Sequence, residues 1–418
     1  MKRVLLVAQE SPFPARHGGT IDMSRRLLAM LDAGAHVFLV CWAEDPAAAR
    51  EACLAAIAAG PGPAAAGRVK VEVLPYERSL AARLRNVAAL AHVPAPVAMT
   101  RHLDAADYRA LLDEARRFLP DAVFIDGIFA GGLGRSLAKN LQRPYLYRSH
   151  NREHEYYLRQ VAAASSLQDR LKLKARALSI GPFERALVRD AASFLDISMS
   201  DLEAWREEGF TGGRWLPPLA DWRLANVAER PTPVVTEAPS FDIAFVGNLY
   251  MPNNVQGVLW LLEEVLPLLR RVLPRATLVI AGSKPVAAVT DAVSRAQGVT
   301  LLADVPDPAA VLASARVLVN PVLVGSGVML KLIDMLMTDM PIVTTPQGAA
   351  GLPGDVLASL HVAADAPAFA GQLATALNGQ GIDALLRRKS RAHFSPAAIL
   401  AVLEHIPSAP AGKVIQAT

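Results

Sequence analysis

The chain has 418 residues, of which 52% are hydrophobic and 20% are charged, and its formal net charge is +4. This composition excludes a disordered chain, and the length suits two domains of roughly 200 residues each. No apolar run approaches the ~20 residues that a membrane-spanning helix needs, so we expect no such helix.

The first half of the chain predicts strands that alternate with helices. In chain order these are strand Val4–Ala8, a helix near Ile21–Leu31, strand Val37–Cys41, a helix near Pro46–Ala59, and strands Val69–Leu74, Ala122–Ile125, Tyr145–Tyr147 and Phe194–Ile197. This alternation predicts a parallel sheet with helices on both faces. We therefore predict an N-terminal Rossmann-like domain over residues 1–220.

A second alternating series follows residues 221–240, a proline-bearing stretch that we predict to be a linker. The series comprises strand Ile243–Val246, a long helix Asn254–Val272, strands Thr277–Ile280 and Val299–Leu302, a helix near Pro308–Ser314, and strands Val317–Asn320 and Ile342–Thr344. It predicts a second Rossmann-like, doubly wound α/β domain over residues 241–390. Ligands bind at the carboxyl ends of the strands in such sheets, so we expect the two domains to face a central cleft.

One segment after the strand Val317–Asn320 combines a glycine loop with the predicted start of a helix. Gly325 and Gly327 flank Ser326 and let the backbone approach an anion, while the helix that follows offers unpaired N–H groups. On that helix Lys331 is suited to pair with a phosphate, and Asp334 is suited to accept from ribose hydroxyls. The segment thus predicts a site for a nucleotide sugar, with an ordinary strand-turn-helix connection as the alternative.

The residues around this loop extend the pattern. Its full form is Pro321-x3-Gly325-x-Gly327-x3-Lys331-x2-Asp334, followed by Pro341-Ile342-Val343-Thr344-Thr345 and Gly348-x2-Gly351. The pattern resembles the donor-site signature of retaining glycosyltransferases of family four, strongly over residues 243–352 and loosely over 1–220. The resemblance implies a GT-B fold, a nucleotide-sugar co-substrate, and transfer with retention. It also implies no metal or other cofactor, because Lys331 and the helix terminus neutralise the leaving diphosphate.

Some positions depart from the pattern of the family. The family has Glu where this chain has Asp334, and Gly where this chain has Met340. Many members have an arginine after the first strand of the donor domain, where this chain has Asn248 next to Gly247. The phosphates would then be held by Lys331 and by backbone amides.

Two candidates lie after strands of the N-terminal half. Gly18 and Gly19 precede a helix, and their amides are suited to a phosphate or an acceptor hydroxyl. The family has a similar loop that reaches toward the donor phosphates, and a flexible turn is the alternative. Asp126, at the end of a strand, is a candidate for the acceptor pocket, but a carboxylate before glycine is also common in turns.

His150 follows the strand Tyr145–Tyr147, at the strand end that faces the ligand in a doubly wound sheet. Its imidazole is suited to donate to a sugar hydroxyl or to the acceptor, and the family has a histidine here that contacts the donor sugar. A metal site is the alternative, because His154 lies four residues on, near Glu153 and Glu155. The arrangement His150-x-x-Glu153-His154 lacks an evident third metal ligand, so we predict no metal and place His154 on a helix surface.

Charge and cysteine content bear on location and partners. Lys and Arg exceed Asp and Glu by five in residues 1–230, whereas the balance in 231–418 is −1. The basic residues are not interleaved with aromatic ones, so nucleic acid is not a predicted partner. Cys41 and Cys53 lack a disulfide framework, which favours the cytoplasm. We expect the basic half to contact the inner face of a membrane or an acidic acceptor, with a plain solvated surface as the alternative.

The C-terminal segment carries one more feature of the family. There the last helix crosses back to the first domain, and Phe394-Ser395-Pro396 occupies the usual place of that crossing. We therefore expect residues 391–418 to return to the N-terminal domain.

These observations predict a glycosyltransferase that moves a sugar from a nucleotide sugar to a glycan or lipid-linked acceptor, in the assembly of a surface polysaccharide or glycoconjugate. His150 and Lys331 are its predicted catalytic residues. One alternative is a GT-B sugar-nucleotide epimerase, which needs an acid and a base in the cleft. Another is a non-catalytic glycosyltransferase-like subunit, which the departures at Asp334 and Asn248 motivate.

Overall fold

A computed structural model describes residues 1–77, 79–96, 99, 101, 103–164, 166–221, 240–325, 327–379 and 383–406. Ser326 and residues 222–239 of the predicted linker lie outside the described residues. The chain divides into two compact units: unit 1 comprises Met1–Pro217 and Pro396–Thr418, and unit 2 comprises Pro218–Ser395. Unit 1 is therefore built from two separate stretches of the chain.

Unit 1 contains a parallel sheet of seven strands in its described residues. They are β1 (Arg3–Ala8), β2 (His36–Ala43), β3 (Val69–Pro75), β4 (Ala122–Asp126), β5 (Tyr145–Ser149), β6 (Ser193–Asp196) and β7 (Gly213–Trp215). Their order in the sheet is β3-β2-β1-β4-β5-β6-β7. The strand order reverses between β1 and β4, which makes this point the topological switch of unit 1.

Helices cover the sheet of unit 1. They are α1 (Gly18–Asp32), α2 (Pro46–Ala59), α3 (Pro63–Ala66), α4 (Leu80–Ala89), α5 (Ala105–Phe118), α6 (Gly131–Leu141), α7 (Glu153–Ala163), α8 (Leu167–Asp190) and α9 (Met199–Glu207). Local chemistry sets several of their starts. Asp45 accepts from the Ala48 N–H ahead of α2, and Ser198 accepts in the same way from the Asp201 N–H in α9.

Unit 2 contains a second parallel sheet. Its strands are β8 (Phe241–Val246), β9 (Leu278–Gly282), β10 (Val299–Ala303), β11 (Ala315–Asn320), β12 (Ile342–Thr344) and β13 (His361–Val362). The order is β10-β9-β8-β11-β12-β13, so the switch point of unit 2 lies between β8 and β11. Its helices are α10 (Pro252–Trp260), α11 (Leu266–Val272), α12 (Ala287–Arg295), α13 (Pro308–Ala313), α14 (Leu330–Leu336), α15 (Gly354–Leu357), α16 (Ala366–Leu377) and α17 (Ala384–Ala392).

The predicted strands are all present, with bounds that differ by at most two residues. They were recognisable because strands covered on both faces need nearly continuous apolar runs, and all residues of β4 and β9 are buried. The long helix predicted over Asn254–Val272 begins at Pro252 and contains a π-helical turn, Leu261–Val265, between α10 and α11. Strands β7 and β13 have only three and two residues, too few to form a pattern.

The last described helix, α18 (Ala397–Glu404), belongs to unit 1. It contacts α1, and just after it the Lys2 ammonium donates to the Ile406 carbonyl over 2.6 Å. The boundary between the units falls at Ser395 and Pro396, inside the segment in which we expected the chain to cross. None of the helices in the described ranges combines the length and apolar character that a membrane crossing requires.

Candidate functional site

The candidate donor residues of unit 2 lie beside its switch point. Gly247 and Asn248 follow β8, and the loop that contains Gly325 and Gly327 follows β11, the neighbouring strand. Ligands of doubly wound sheets bind at the carboxyl ends of the strands at such a point. The topology therefore brings together two segments that are about eighty residues apart in the chain.

Lys331 lies in the first turn of α14, and its ammonium group has no acidic partner. The Nζ atom donates to the Asn254 side-chain oxygen over 2.6 Å and lies 4.6 Å from the centre of the Phe245 ring. No carboxylate of the described residues forms an ion pair with it, and burial lowers the pKa of Lys331 to about 7. An amine in this position is held ready for an anion, because an anion supplies the charge that the protein does not.

Asn254 was not among the predicted site residues. Its side chain is buried at the start of α10, and its amide nitrogen donates to the Asn248 carbonyl over 2.9 Å while its oxygen accepts from Lys331. Gly247 leaves room for this amide, because a Cβ atom there would lie 3.1 Å from the Asn254 nitrogen. Asn254 therefore fixes Lys331 against the end of β8.

Asn248, the residue in place of the arginine of the family, is tied to the next strand. Its side-chain oxygen accepts from the Ser283 hydroxyl over 2.9 Å, just after β9. This contact holds the ends of β8 and β9 together and supplies no positive charge. Lys331 is therefore the cation that this part of the described structure offers to a diphosphate.

The glycine loop has the conformation that its composition allows. Gly327 has a φ of 77°, in the left-handed region that favours glycine, and the Gly325 carbonyl accepts from the Gln347 amide over 2.9 Å. Ser326 lies outside the described residues. Helix α14 begins only at Leu330 and has seven residues, so it starts later than the glycine pattern suggested.

Asp334 lies on α14 as well but has a different neighbour from Lys331. One of its carboxylate oxygens accepts from the backbone N–H of Asp221 over 3.1 Å, at the end of the described segment before the linker. The lysine and the carboxylate, three residues apart, thus have separate partners. If Asp334 contacts a ribose, its carboxylate would accept from the ribose hydroxyls while one of its oxygens also accepts from the Asp221 N–H.

In unit 1 the candidate His150 belongs to a buried network of charges. Its Nε2 lies 2.7 Å from one oxygen of Asp126, whose other oxygen accepts from Arg26 over 2.6 Å. Burial by itself raises the pKa of the Asp126 carboxyl, but Arg26 and the hydrogen bond from His150 outweigh burial and hold that pKa below its ordinary value. The ionised carboxylate can only accept, so Nε2 of His150 carries the proton in this contact and Nδ1 is the ring nitrogen that it leaves unused.

Helix α1 supplies the rest of this network. Asp22 accepts from Arg26 over 3.0 Å and from Arg148 of β5 over 2.9 Å. Arg148 also donates to the Leu216 carbonyl. Four of the five charged or titratable side chains are almost completely buried, and His150 is the outermost, with 13% of its side chain exposed. Buried charges of this kind are stable only when each is paired.

Asp126 is therefore too deeply buried for the acceptor contact that its place in the sequence had suggested. It is completely buried, and both carboxylate oxygens are already used. The geometry makes it a support for His150. Nothing in its sequence context distinguished the two roles, because the Arg26 partner is one hundred residues away.

Gly18 and Gly19 lie in the first turn of α1 and not in a loop before it. His17, immediately before them, is paired with Glu10 over 3.2 Å, and the hydrogen bond that its ring donates to that carboxylate raises the pKa of His17. The space around Gly18 is open, since a Cβ atom there would have no neighbour within 4 Å. These amides remain candidates for an anion or a hydroxyl.

The placement of His154 on a helix surface was wrong. His154 is 6% exposed, and its Nδ1 lies 2.5 Å from the carboxylate of Glu184. The same carboxylate accepts from the backbone N–H groups of Glu153 and His154, so it caps the start of α7 from helix α8. Glu184 is therefore structural.

The alternative of a metal site meets an electrostatic obstacle. In the described part of the chain, His154, Glu155 and Glu208 bring ligand atoms within 4.8 Å of one another. Glu208, however, already pairs with Arg152 and Arg185, and Arg185 lies 3.4 Å from the other ring nitrogen of His154. Two guanidinium groups beside the cluster disfavour a further cation.

Comparison with known proteins identifies the class of unit 2. Residues 240–379 match the model of a protein family described as glycosyl transferases group 1. Over 137 residues the chain is 31% identical to an uncharacterized 44.6 kDa protein in the cps region of Klebsiella pneumoniae. That match covers 31% of this chain and 35% of the relative, so the two align over about a third of their lengths.

Solved structures of the same architecture cover nearly the whole chain. They include Anabaena HepE in complex with UDP, with a TM-score of 0.60, 13% identity, and coverage of 97% of this chain and 98% of that one. Sucrose-phosphate synthase from Thermosynechococcus elongatus has a TM-score of 0.61, 15% identity and the same coverage. TarM has a TM-score of 0.60 at 9% identity, again with that coverage. The predicted GT-B fold is confirmed, and with the family match it supports a glycosyltransferase.

Proposed function

We propose that this protein transfers a sugar from a nucleotide-sugar donor to a glycan or lipid-linked acceptor. The observation that carries the proposal is Lys331: a part-buried ammonium that no acidic side chain in the described part of the chain pairs with, at the switch point of unit 2 and beside the glycine loop. A diphosphate supplies the missing negative charge there. The contact between Lys331 and the diphosphate strengthens as negative charge develops on this leaving group.

The reaction we propose needs no metal to neutralise the leaving diphosphate. Lys331 provides a positive charge that the bound diphosphate stabilises, and the amides around Gly325 and Gly327 provide hydrogen-bond donors. The resemblance to family four further favours transfer with retention at the anomeric carbon. No carboxylate is assigned as a covalent nucleophile.

His150 is proposed to act on the transferring sugar. With Nε2–H held by Asp126, Nδ1 is the ring nitrogen that contacts a sugar hydroxyl in this scheme. Asp126 and Arg26 are positioning residues in this scheme, because they orient the ring and do not reach the substrate themselves.

The cellular role is proposed to be the assembly of a surface polysaccharide or glycoconjugate, on the cytoplasmic side of a membrane. The support comes from the relative in the cps region and from the basic balance of the N-terminal half. Both the sugar and the nucleobase are open in this proposal.

A panel of UDP-, GDP- and ADP-linked hexoses tests the proposal. We expect slow release of the nucleoside diphosphate from one donor, loss of this release in Lys331→Met, and full release in Lys389→Met, a matched change at an exposed lysine of α17. An isomeric nucleotide sugar would instead identify an epimerase. Full activity of Lys331→Met, or no turnover and no binding with any donor, would refute the proposal, and the latter result would favour a non-catalytic subunit.

A further inference from the structure

Helix α8 exposes a row of leucines to solvent. Leu167, Leu171 and Leu178 are 73%, 60% and 68% exposed, respectively. At 3.6 residues per turn, these three positions lie within about 40° of one another around the helix axis. Single exposed leucines are common on protein surfaces, but three on one side of a helix form an apolar stripe, here with Lys174 between Leu171 and Leu178.

The stripe is not needed to build unit 1. Helix α8 contributes a different face to the core, where Ala177 and Ile180 are buried, and it packs along α7. Leucine has no local role on the solvent side of such a helix. The stripe therefore points to something that covers it outside the chain's own core.

Basic side chains accompany the leucines. Residues 167–179 contain four exposed cations, Arg170, Lys172, Lys174 and Arg176, and one acid, Asp169. Asp169 is used at the helix start, where it accepts from Ser166 and lies 3.9 Å from Lys172. By the same helical geometry Lys174 lies only about 20° from the stripe. The segment thus combines an apolar row with a positive charge excess.

We propose that α8 docks unit 1 onto an anionic lipid bilayer. The leucines enter the boundary between headgroups and acyl chains, and Lys174 beside them and Lys172 at the flank of the helix contact lipid phosphates. Charge complementarity selects this occupant over a second copy of the chain, because two such stripes facing each other would bring like charges together. The proposal does not depend on the transfer reaction, although a lipid-linked acceptor would lie at the same surface.

Vesicle flotation with the full chain tests this assignment. We expect binding to vesicles of phosphatidylglycerol and phosphatidylethanolamine and at least tenfold weaker binding to phosphatidylcholine alone. Lys172→Glu with Lys174→Glu, and separately Leu167, Leu171 and Leu178 all changed to Ser, should each lower binding to anionic vesicles at least tenfold. Val272→Ser with Leu385→Ser is the matched control, since these unit 2 side chains are 67% and 56% exposed.

Several outcomes would overturn the proposal. These are absent binding, equal binding to both vesicle types, wild-type binding by the charge-reversal variant, or equal loss in the control. A leucine variant that alone loses self-association in lipid-free buffer would assign the stripe to a contact between copies. If that variant fails to fold by circular dichroism, the charge-reversal pair decides the question. Nucleotide-sugar turnover without lipid should be unchanged in both variants, which separates this test from that of the transfer reaction.

Discussion

Lys331 has a charge that depends on what binds beside it. Burial lowers the pKa of this amine to about 7, whereas a bound diphosphate stabilises the protonated form and raises the pKa again. Binding should therefore take up a proton when the pH lies above 7. The affinity should fall as the pH rises from 7.5 toward 9, by at most about tenfold per pH unit.

Calorimetry with UDP, GDP and ADP at pH 8, in buffers of different ionisation enthalpy, measures this proton uptake. Above pH 7.5 the phosphates of the nucleotide are already ionised, so they do not contribute. Lys331→Met should remove the uptake and Lys389→Met should keep it. Equal uptake by wild type and Lys331→Met would place the diphosphate elsewhere.

Asp334 offers a test of the ribose contact. Asp334→Asn keeps an oxygen that can accept from the Asp221 N–H, but it loses the charge, so nucleotide binding should weaken by ~1–3 kcal/mol. Asp334→Glu should bind at least as well as wild type. An unchanged affinity of the Asn variant would limit Asp334 to holding the backbone at Asp221.

Side chains whose type and neighbours indicate a chemical role could be predicted from the sequence. Side chains that only hold such residues in place could not. Lys331, between a glycine loop and an apolar helix, was recognisable, but Asn254 donates to a carbonyl and accepts from a residue 77 positions away. An amide at a helix start looks like a turn residue. His154 was misplaced for the same reason, because Glu184, thirty residues on, buries it.

At the scale of elements, strands β4 and β5 and helix α1 converge on one imidazole. We expect His150→Ala to lower kcat by about 10²-fold or more and to change nucleotide affinity by less than twofold, because its partner is the sugar. Asp126→Asn should also lower kcat. The double variant should be no slower than His150→Ala, because Asp126 acts through the ring.

Kinetics of the two single variants and the double variant measure this coupling, with circular dichroism as the check on folding. Additive losses would separate Asp126 from His150. Full turnover by His150→Ala, or zinc that copurifies with wild type and not with this variant, would remove the sugar contact and revive the metal site.

The elements themselves were predictable where burial imposes a pattern. Strands enclosed on both faces need apolar runs, and α2 has Asp45 and Pro46 at its start. Helix α14 was expected after the glycine loop without a defined first residue, and its first turn comes at Leu330; its N-cap Met329 makes no side-chain hydrogen bond, so no capping signal marked this start. The α8 stripe carried no signal of its own, since an exposed leucine and a core leucine look alike in sequence.

At the scale of the molecule, a buried acid should make stability depend on pH. Burial, followed by the nearby Asp201 carboxylate, raises the pKa of Asp196 from 3.8 to about 8. The folded chain keeps this proton while the unfolded chain loses it. The free energy of unfolding should therefore fall as the pH rises between these two values, by at most about 1.4 kcal/mol per pH unit.

Thermal denaturation at pH 5 and pH 8.5 measures this dependence. Asp196→Asn should reduce it; Glu153, whose pKa burial and Glu184 raise to about 7, acts in the same direction as Asp196, whereas Lys331, whose pKa burial lowers to about 7, acts in the opposite direction above pH 7. Asp113→Asn, at a side chain that is 60% exposed, should behave like wild type. An Asn variant with the wild-type pH dependence would mean that Asp196 is ionised and solvated in the folded protein.

The two stretches that form unit 1 have a consequence for the order of synthesis. Residues 396–406 leave the ribosome only after all of unit 2, yet α18 packs on α1, and the Ile406 carbonyl binds Lys2 from the start of the chain. Unit 2 can complete its core during translation, whereas unit 1 lacks α18 until unit 2 has been synthesised. A nascent chain therefore spends the whole synthesis of unit 2 with one face of unit 1 uncovered, a period in which chaperones would have their longest access.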